Sequence, residues 1–246
     1  MDTHALEKVL ASHDNIRFIY TIPKFQNPSG VTRSMKKREH LYELARKYDV
    51  LILEDNPYGD LRYSGEFLPS IKTLDTDGRV IYAGSFSKVI APGLRVAYVL
   101  APKPIIQKMT VCKQGSDVHT NIWSQMLCYE YLTRYDFEAH LDKLRSIYRE
   151  KAKFCMDLLD RYCAPEITYD KIDGGLFIWC KLPEGVDMLD YVKKAIENKV
   201  CVVPGNAFLT DESETTNGFR INFSTPTDEQ LEKGIKALGA LIKSMV

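Results

Sequence analysis

Residues 17–55 constrain the fold more than any other stretch. Arg17-Phe18-Ile19-Tyr20-Thr21-Ile22 is dominated by β-branched and aromatic residues and reads as a short strand. Pro23-Lys24-Phe25-Gln26-Asn27-Pro28-Ser29-Gly30 follows, and its two prolines and terminal glycine stop any regular element. The spacing then predicts a charged amphipathic helix over 34–48, with Ser34 as N-cap and Met35, Leu41, Leu44 and Ala45 facing inward. Asp49-Val50-Leu51-Ile52-Leu53-Glu54-Asp55 has an apolar centre, which suggests a strand covered on both faces. Strand, helix, strand is a βαβ unit. The polar residues at the C-terminal end of its second strand lie where such sheets carry ligand sites.

A third strand, Arg79-Val80-Ile81-Tyr82-Ala83, runs into Gly84-Ser85-Phe86-Ser87-Lys88-Val89-Ile90-Ala91-Pro92-Gly93-Leu94-Arg95. A lysine held where the chain leaves a strand can form a Schiff base with an aldehyde. Ser85, Ser87 and Arg95 can donate to a phosphate. An aldehyde and a phosphate on one small molecule describe pyridoxal phosphate. A Ser-x-Lys triplet alone also reads as a turn with a solvated lysine, the commoner case. Leu94 to Leu100 is read as a further strand of this parallel-looking first half.

Helices are predicted over 104–115, 121–134 and 136–162. Met126, Leu127, Leu132, Leu141, Leu144, Ile147 and Tyr148 recur as their apolar positions, and the last helix is long enough to link two domains. Beyond Pro165 short strands dominate, at 167–172, 175–180, 200–203 and 219–224, with helices over 188–198 and 227–245. In Phe219-Arg220-Ile221-Asn222-Phe223-Ser224 the alternation puts Arg220 and Asn222 on one face.

The 45% apolar and 27% charged content is ordinary for a soluble globular chain of 246 residues. Lys+Arg and Asp+Glu are both 33, which gives no support for a nucleic-acid or anionic-membrane partner. No apolar run approaches the ~18 residues that would span a bilayer. The first residues lack the basic start and apolar core of a signal peptide. Six cysteines without a C-x-x-C spacing give no metal pattern and fit reduced thiols in the cytoplasm.

At Asn27, Asp55, Tyr58, Lys88, Arg95 and Arg220 the pattern closely resembles a fold-type I pyridoxal-phosphate aminotransferase. The nearest branch is that of the 2-aminoadipate and aromatic aminotransferases, a domain also found in MocR-type regulators. The segments Asn27-Pro28-Ser29-Gly30, Glu54-Asp55-Asn56-Pro57-Tyr58, Ser85-Phe86-Ser87-Lys88, Ala91-Pro92-Gly93-Leu94-Arg95, Gly174-Gly175-Leu176-Phe177-Ile178-Trp179, Val203-Pro204-Gly205 and Arg220-Ile221-Asn222-Phe223-Ser224 carry it in family order from end to end. The resemblance implies an α/β fold: a three-layer αβα cofactor domain over residues 1–130, incomplete at its N-terminus, and a smaller α+β domain over 131–246. It implies that Lys88 bonds pyridoxal 5'-phosphate and shuttles the substrate Cα proton. Asp55 would pair with the pyridine nitrogen, and Tyr58 and Asn27 would donate to the phenolic oxygen. Ser85, Ser87 and Arg95 would hold the phosphate, and Arg220 with Asn27 would bind the substrate. Amino acids and 2-oxo acids would be the substrates, and the assembly a homodimer.

Members of this family usually carry well over a hundred residues before the segment matching Met1, including a phosphate loop and an aromatic that stacks on the ring. The expectation is that this chain binds the cofactor weakly, or not at all, unless a second piece supplies the phosphate loop. Two other readings share the same residues: the effector-sensing domain of a MocR-type regulator, and a fold-type I lyase.

Overall fold

The computed structural model describes residues 1–211 and 214–246. They form two compact units. The first comprises Met1–Lys24, Thr32–Asp60 and Glu66–Lys143; the second comprises Phe25–Val31, Leu61–Gly65 and Leu144–Val246.

In the first unit, β1 (Phe18–Thr21), β2 (Leu51–Asn56) and β3 (Val80–Ser85) pair in parallel, and β4 (Ala97–Leu100) pairs with β3 antiparallel. Helix α1 (Thr3–Ser12) begins at Asp2, whose carboxylate accepts from the His4 and Ala5 N–H groups. Helix α2 (Met35–Lys47) starts after Ser34, whose side chain makes no capping bond. Leu10 of α1 and Leu41, Leu44 and Ala45 of α2 form one apolar core with Ile19 and Ile52 of the sheet.

Two expectations are corrected here. The first half is not wholly parallel. The strand read from Leu94 begins at Ala97 and runs antiparallel. A tight turn over Pro92–Leu94 and a left-handed Arg95, φ 57°, reverse the chain. The connection is too short for the crossover a parallel neighbour needs. Nor is β2 covered equally on both faces. Ile52, Glu54 and Asn56 are buried, whereas Leu51, Leu53 and Asp55 are half-buried, because the helical core packs on one face.

Helices α3 (Lys103–Ser116) and α4 (Ile122–Arg134) follow. Met126, Leu127 and Leu132 do not turn inward; they are exposed, together with Ile122 and Trp123, and Cys128 is the buried residue of α4. The division between units falls within α5 (Phe137–Tyr162).

The second unit has an antiparallel sheet, ordered β5 (Thr168–Tyr169), β6 (Phe177–Lys181), β8 (Gly218–Asn222), β7 (Val203–Pro204). Helices α6 (Met188–Glu197) and α7 (Asp228–Lys243) pack with α5 over it, around Leu158, Ile178, Tyr191, Phe219 and Ile235. The edge strands β5 and β7 are shorter than their β-branched runs predict. β7 stops at Pro204, which has no N–H to donate to a ladder. Among the described residues no helix is long and apolar enough to cross a membrane.

Candidate active site

In the first unit, parallel pairing sets Tyr20 beside Leu53 and Asp55 beside Ala83. Alternation then sorts the strand ends onto two faces. Tyr20, Asp55 and Ser85 share one; Thr21, Glu54 and Asn56 share the other. The acidic pair Glu54-Asp55 is thereby split. Glu54 is fully buried and accepts from the N–H groups of Ile71 and Lys72 at 2.9 and 2.8 Å. Burial pushes its carboxyl up, against those two N–H groups and the charges of Arg38 and Lys24. Asp55 instead accepts from the Tyr20 hydroxyl, at 2.8 Å on Oδ2. Tyr20 is pushed up to about 12, first by partial desolvation and then by its hydrogen bond to Asp55. Tyr58, buried just after β2, adds to that shift.

Lys88 lies three residues beyond β3, half-buried, in a turn where the Ile90 N–H donates to the Phe86 carbonyl at 2.8 Å. A ring nitrogen of His140 bonds the carbonyl of the next residue, Val89, at 2.7 Å and anchors this turn. The Ser87 N–H donates to Ser85 Oγ at 3.1 Å. Arg95 Nη1 donates to Ser87 Oγ at 3.4 Å and to the Pro92 carbonyl at 3.2 Å. Ser87 sits past the end of the strand, so alternation does not govern its side chain, and its hydroxyl meets Arg95. Left-handed backbone at a residue other than glycine is strained, and such strain collects at functional sites. Together these groups offer an amine, a carboxylate acceptor, two serine hydroxyls and a guanidinium beside one of them, the last suited to a phosphate.

Asn27 and Arg220 belong to the second unit. Arg220 is on β8, beside Trp179 of β6 and Val203 of β7. Its Nη1 donates to Asn27 Oδ1 at 2.5 Å. Its guanidinium carbon stands 4.3 Å from the Phe177 ring centre and 5.4 Å from that of Phe208. Asn27 rides on a turn closed by Gly30 N–H to the Gln26 carbonyl, 2.6 Å, and Gly30 takes φ 68°, which suits glycine. A planar cation lying over aromatic rings and bonded to Asn27 is held in one orientation, a geometry suited to a carboxylate.

Sequence reasoning missed two residues. Tyr20 carried a usable signal: strand alternation places it on the same face as Asp55. Arg38 carried none, being one basic residue in a charged helix. It is fully buried, and its guanidinium donates to the carbonyls of Arg33 at 2.9 Å, Pro23 at 3.1 Å and Pro69. It thus fastens the two ends of the 23–33 segment within the first unit.

Comparison with solved structures gives the class. The kynurenine aminotransferase of Pyrococcus horikoshii superimposes with a TM-score of 0.95 at 37% identity, over 100% of this chain and 62% of that one. The fold is that of the fold-type I transferases. The profile of aminotransferase class I and II matches residues 1–238, and the chain belongs to that family. It is 39% identical over 238 residues to aromatic-amino-acid aminotransferase 1 of Thermococcus litoralis, covering 97% of this chain and 57% of the relative. It is 36% identical over 248 residues to the 2-aminoadipate transaminase of Thermus thermophilus, covering 100% of this chain and 62% of the relative. The chain therefore spans between 57% and 62% of the length of these relatives.

Proposed function

We propose that the chain serves a pyridoxal-phosphate-dependent aminotransferase. The reaction moves an amino group between an amino acid (2-aminoadipate, aromatic or branched) and a 2-oxo acid such as 2-oxoglutarate. The observation that carries this reading is the common face of Asp55 and Ser85 at adjacent parallel strand ends, with Lys88 three residues on. The donor set fits the cofactor: one oxygen of Asp55 is held by Tyr20, and Arg95 is aligned on a serine hydroxyl.

Pyridoxal phosphate, when bound, supplies an aldehyde that captures amines and a ring that accepts electrons. The chain's own residues do the rest. Lys88 Nζ would take the proton from the substrate Cα and deliver it to the cofactor carbon that carried the aldehyde. Asp55 holds a proton at the ring nitrogen. Ser85, Ser87 and Arg95 hold the phosphate by charge-assisted hydrogen bonds. Tyr58 donates to the phenolic oxygen. Asn27 has its carbonyl oxygen engaged by Arg220, which leaves the amide N–H₂ to donate there too. Arg220 takes the substrate α-carboxylate through a planar pair of N–H groups. In this reading residues 1–130 form the cofactor domain and 131–246 the smaller domain, and the protein acts as a homodimer in the cytoplasm.

The test is a visible absorbance titration with pyridoxal 5'-phosphate, followed by borohydride reduction and peptide mapping. The expected result is one reduced adduct, on Lys88, lost in Lys88→Ala. Glutamate should then form from 2-oxoglutarate with 2-aminoadipate or an aromatic amino acid. Adducts scattered over many lysines would overturn the reading. A Lys88 adduct without glutamate formation would favour the sensing domain, and release of ammonia with pyruvate a lyase.

A further inference from the structure

Tyr20 touches neither cofactor nor substrate in the machinery above, yet its hydroxyl donates to Asp55. We propose that Tyr20 is a positioning residue: it holds Asp55 Oδ2 and so presents Oδ1 to the ring nitrogen of the cofactor. The proposal rests on the role given to Asp55 above. Rotation of a carboxylate about χ2 is broad and soft, so an aspartate at a strand end does not orient itself. A carboxylate offers about four acceptor positions, and a donor on one oxygen leaves the other available.

The strand order brings that donor from β1. β1 lies beside β2 with Tyr20 and Asp55 on the same face, and the tyrosine ring reaches two residues along the ladder. On the other side the register partner of Asp55 is Ala83, whose methyl group cannot hydrogen-bond. A phenol donates only while protonated. With its pKa at about 12, Tyr20 remains a donor throughout the neutral range.

A double-mutant cycle on the full chain tests this. The probe is pyridoxal 5'-phosphate, read by its binding constant and by the absorbance maximum of the bound form. Tyr20→Phe keeps the ring and removes the donor. It should weaken binding about tenfold, the scale of one hydrogen bond to a charged group, and shift the absorbance maximum while Lys88 still forms its adduct. Asp55→Asn should weaken binding further. The double variant should be no worse than Asp55→Asn alone, because Tyr20 acts through Asp55. Losses that multiply, or a Tyr20→Phe protein that binds like the parent, would overturn the proposal.

A second readout needs no cofactor. The Tyr20 Cζ resonance, assigned by its absence in Tyr20→Phe, should move in Asp55→Asn. If it moves while the parent chain forms no Lys88 adduct, the cofactor reading fails and the pair is reduced to a structural contact, which overturns the proposal by a separate route. If it does not move, the hydrogen bond itself is refuted.

Discussion

Glu54 and Asp55 are neighbours in sequence and opposites in environment, and the difference is measurable. Glu54 is buried, with a carboxyl raised chiefly by desolvation. A carboxyl whose pKa is higher folded than unfolded binds its proton more tightly in the native state, so stability falls as pH rises from the ordinary carboxylate range through the raised value. Glu54→Gln removes that slope. Urea midpoints at about pH 5 and about pH 8 should therefore differ less in the variant than in the parent, after allowing for the other carboxylates. An unchanged difference would show that Ile71, Lys72 and Arg38 fully offset the burial. That the two acids lie on opposite faces was readable from alternation alone. That Glu54 caps the backbone at Ile71 was not, because those residues are distant in sequence and meet only once the sheet is built.

Among the elements, α7 shows how a local signal survives into the structure. Thr227 accepts from the Gln230 N–H and the Gln230 side chain accepts from the Thr227 N–H, a reciprocal cap. Thr227→Ala should lower stability by about 1 kcal/mol, read as a urea-midpoint shift at unchanged m-value. The helix over 227–245 was legible from its periodicity, as was β8 with Arg220 on a defined face. The direction of β4 was not legible from hydropathy. It is set by the turn over Pro92–Leu94 and the left-handed backbone at Arg95; Pro92-Gly93 marks a turn but not the direction in which the chain leaves it. The exposure of one face of α4 was not legible for a related reason. Periodicity identifies an apolar stripe but does not say what covers it.

At the scale of the molecule, that stripe bears on assembly. Ile122, Trp123 and Met126 are each more than half exposed on one helix, and contiguous exposed apolar surface often marks an interaction site. Light scattering at high protein concentration is expected to give a mass above that of one chain, and Trp123→Glu is expected to lower it. A single-chain mass for the parent at all concentrations would count against the homodimer. The sequence holds two tryptophans, and each unit carries one. Trp123 is exposed on α4, whereas the Trp179 indole packs edge-on to Phe208, and a Cβ at Gly218 would fall 2.2 Å from it. Exposed indoles emit at longer wavelength than enclosed ones. The chain therefore contains a separate optical reporter in each half, and the red and blue edges of its emission should reveal whether the two halves melt together or one before the other.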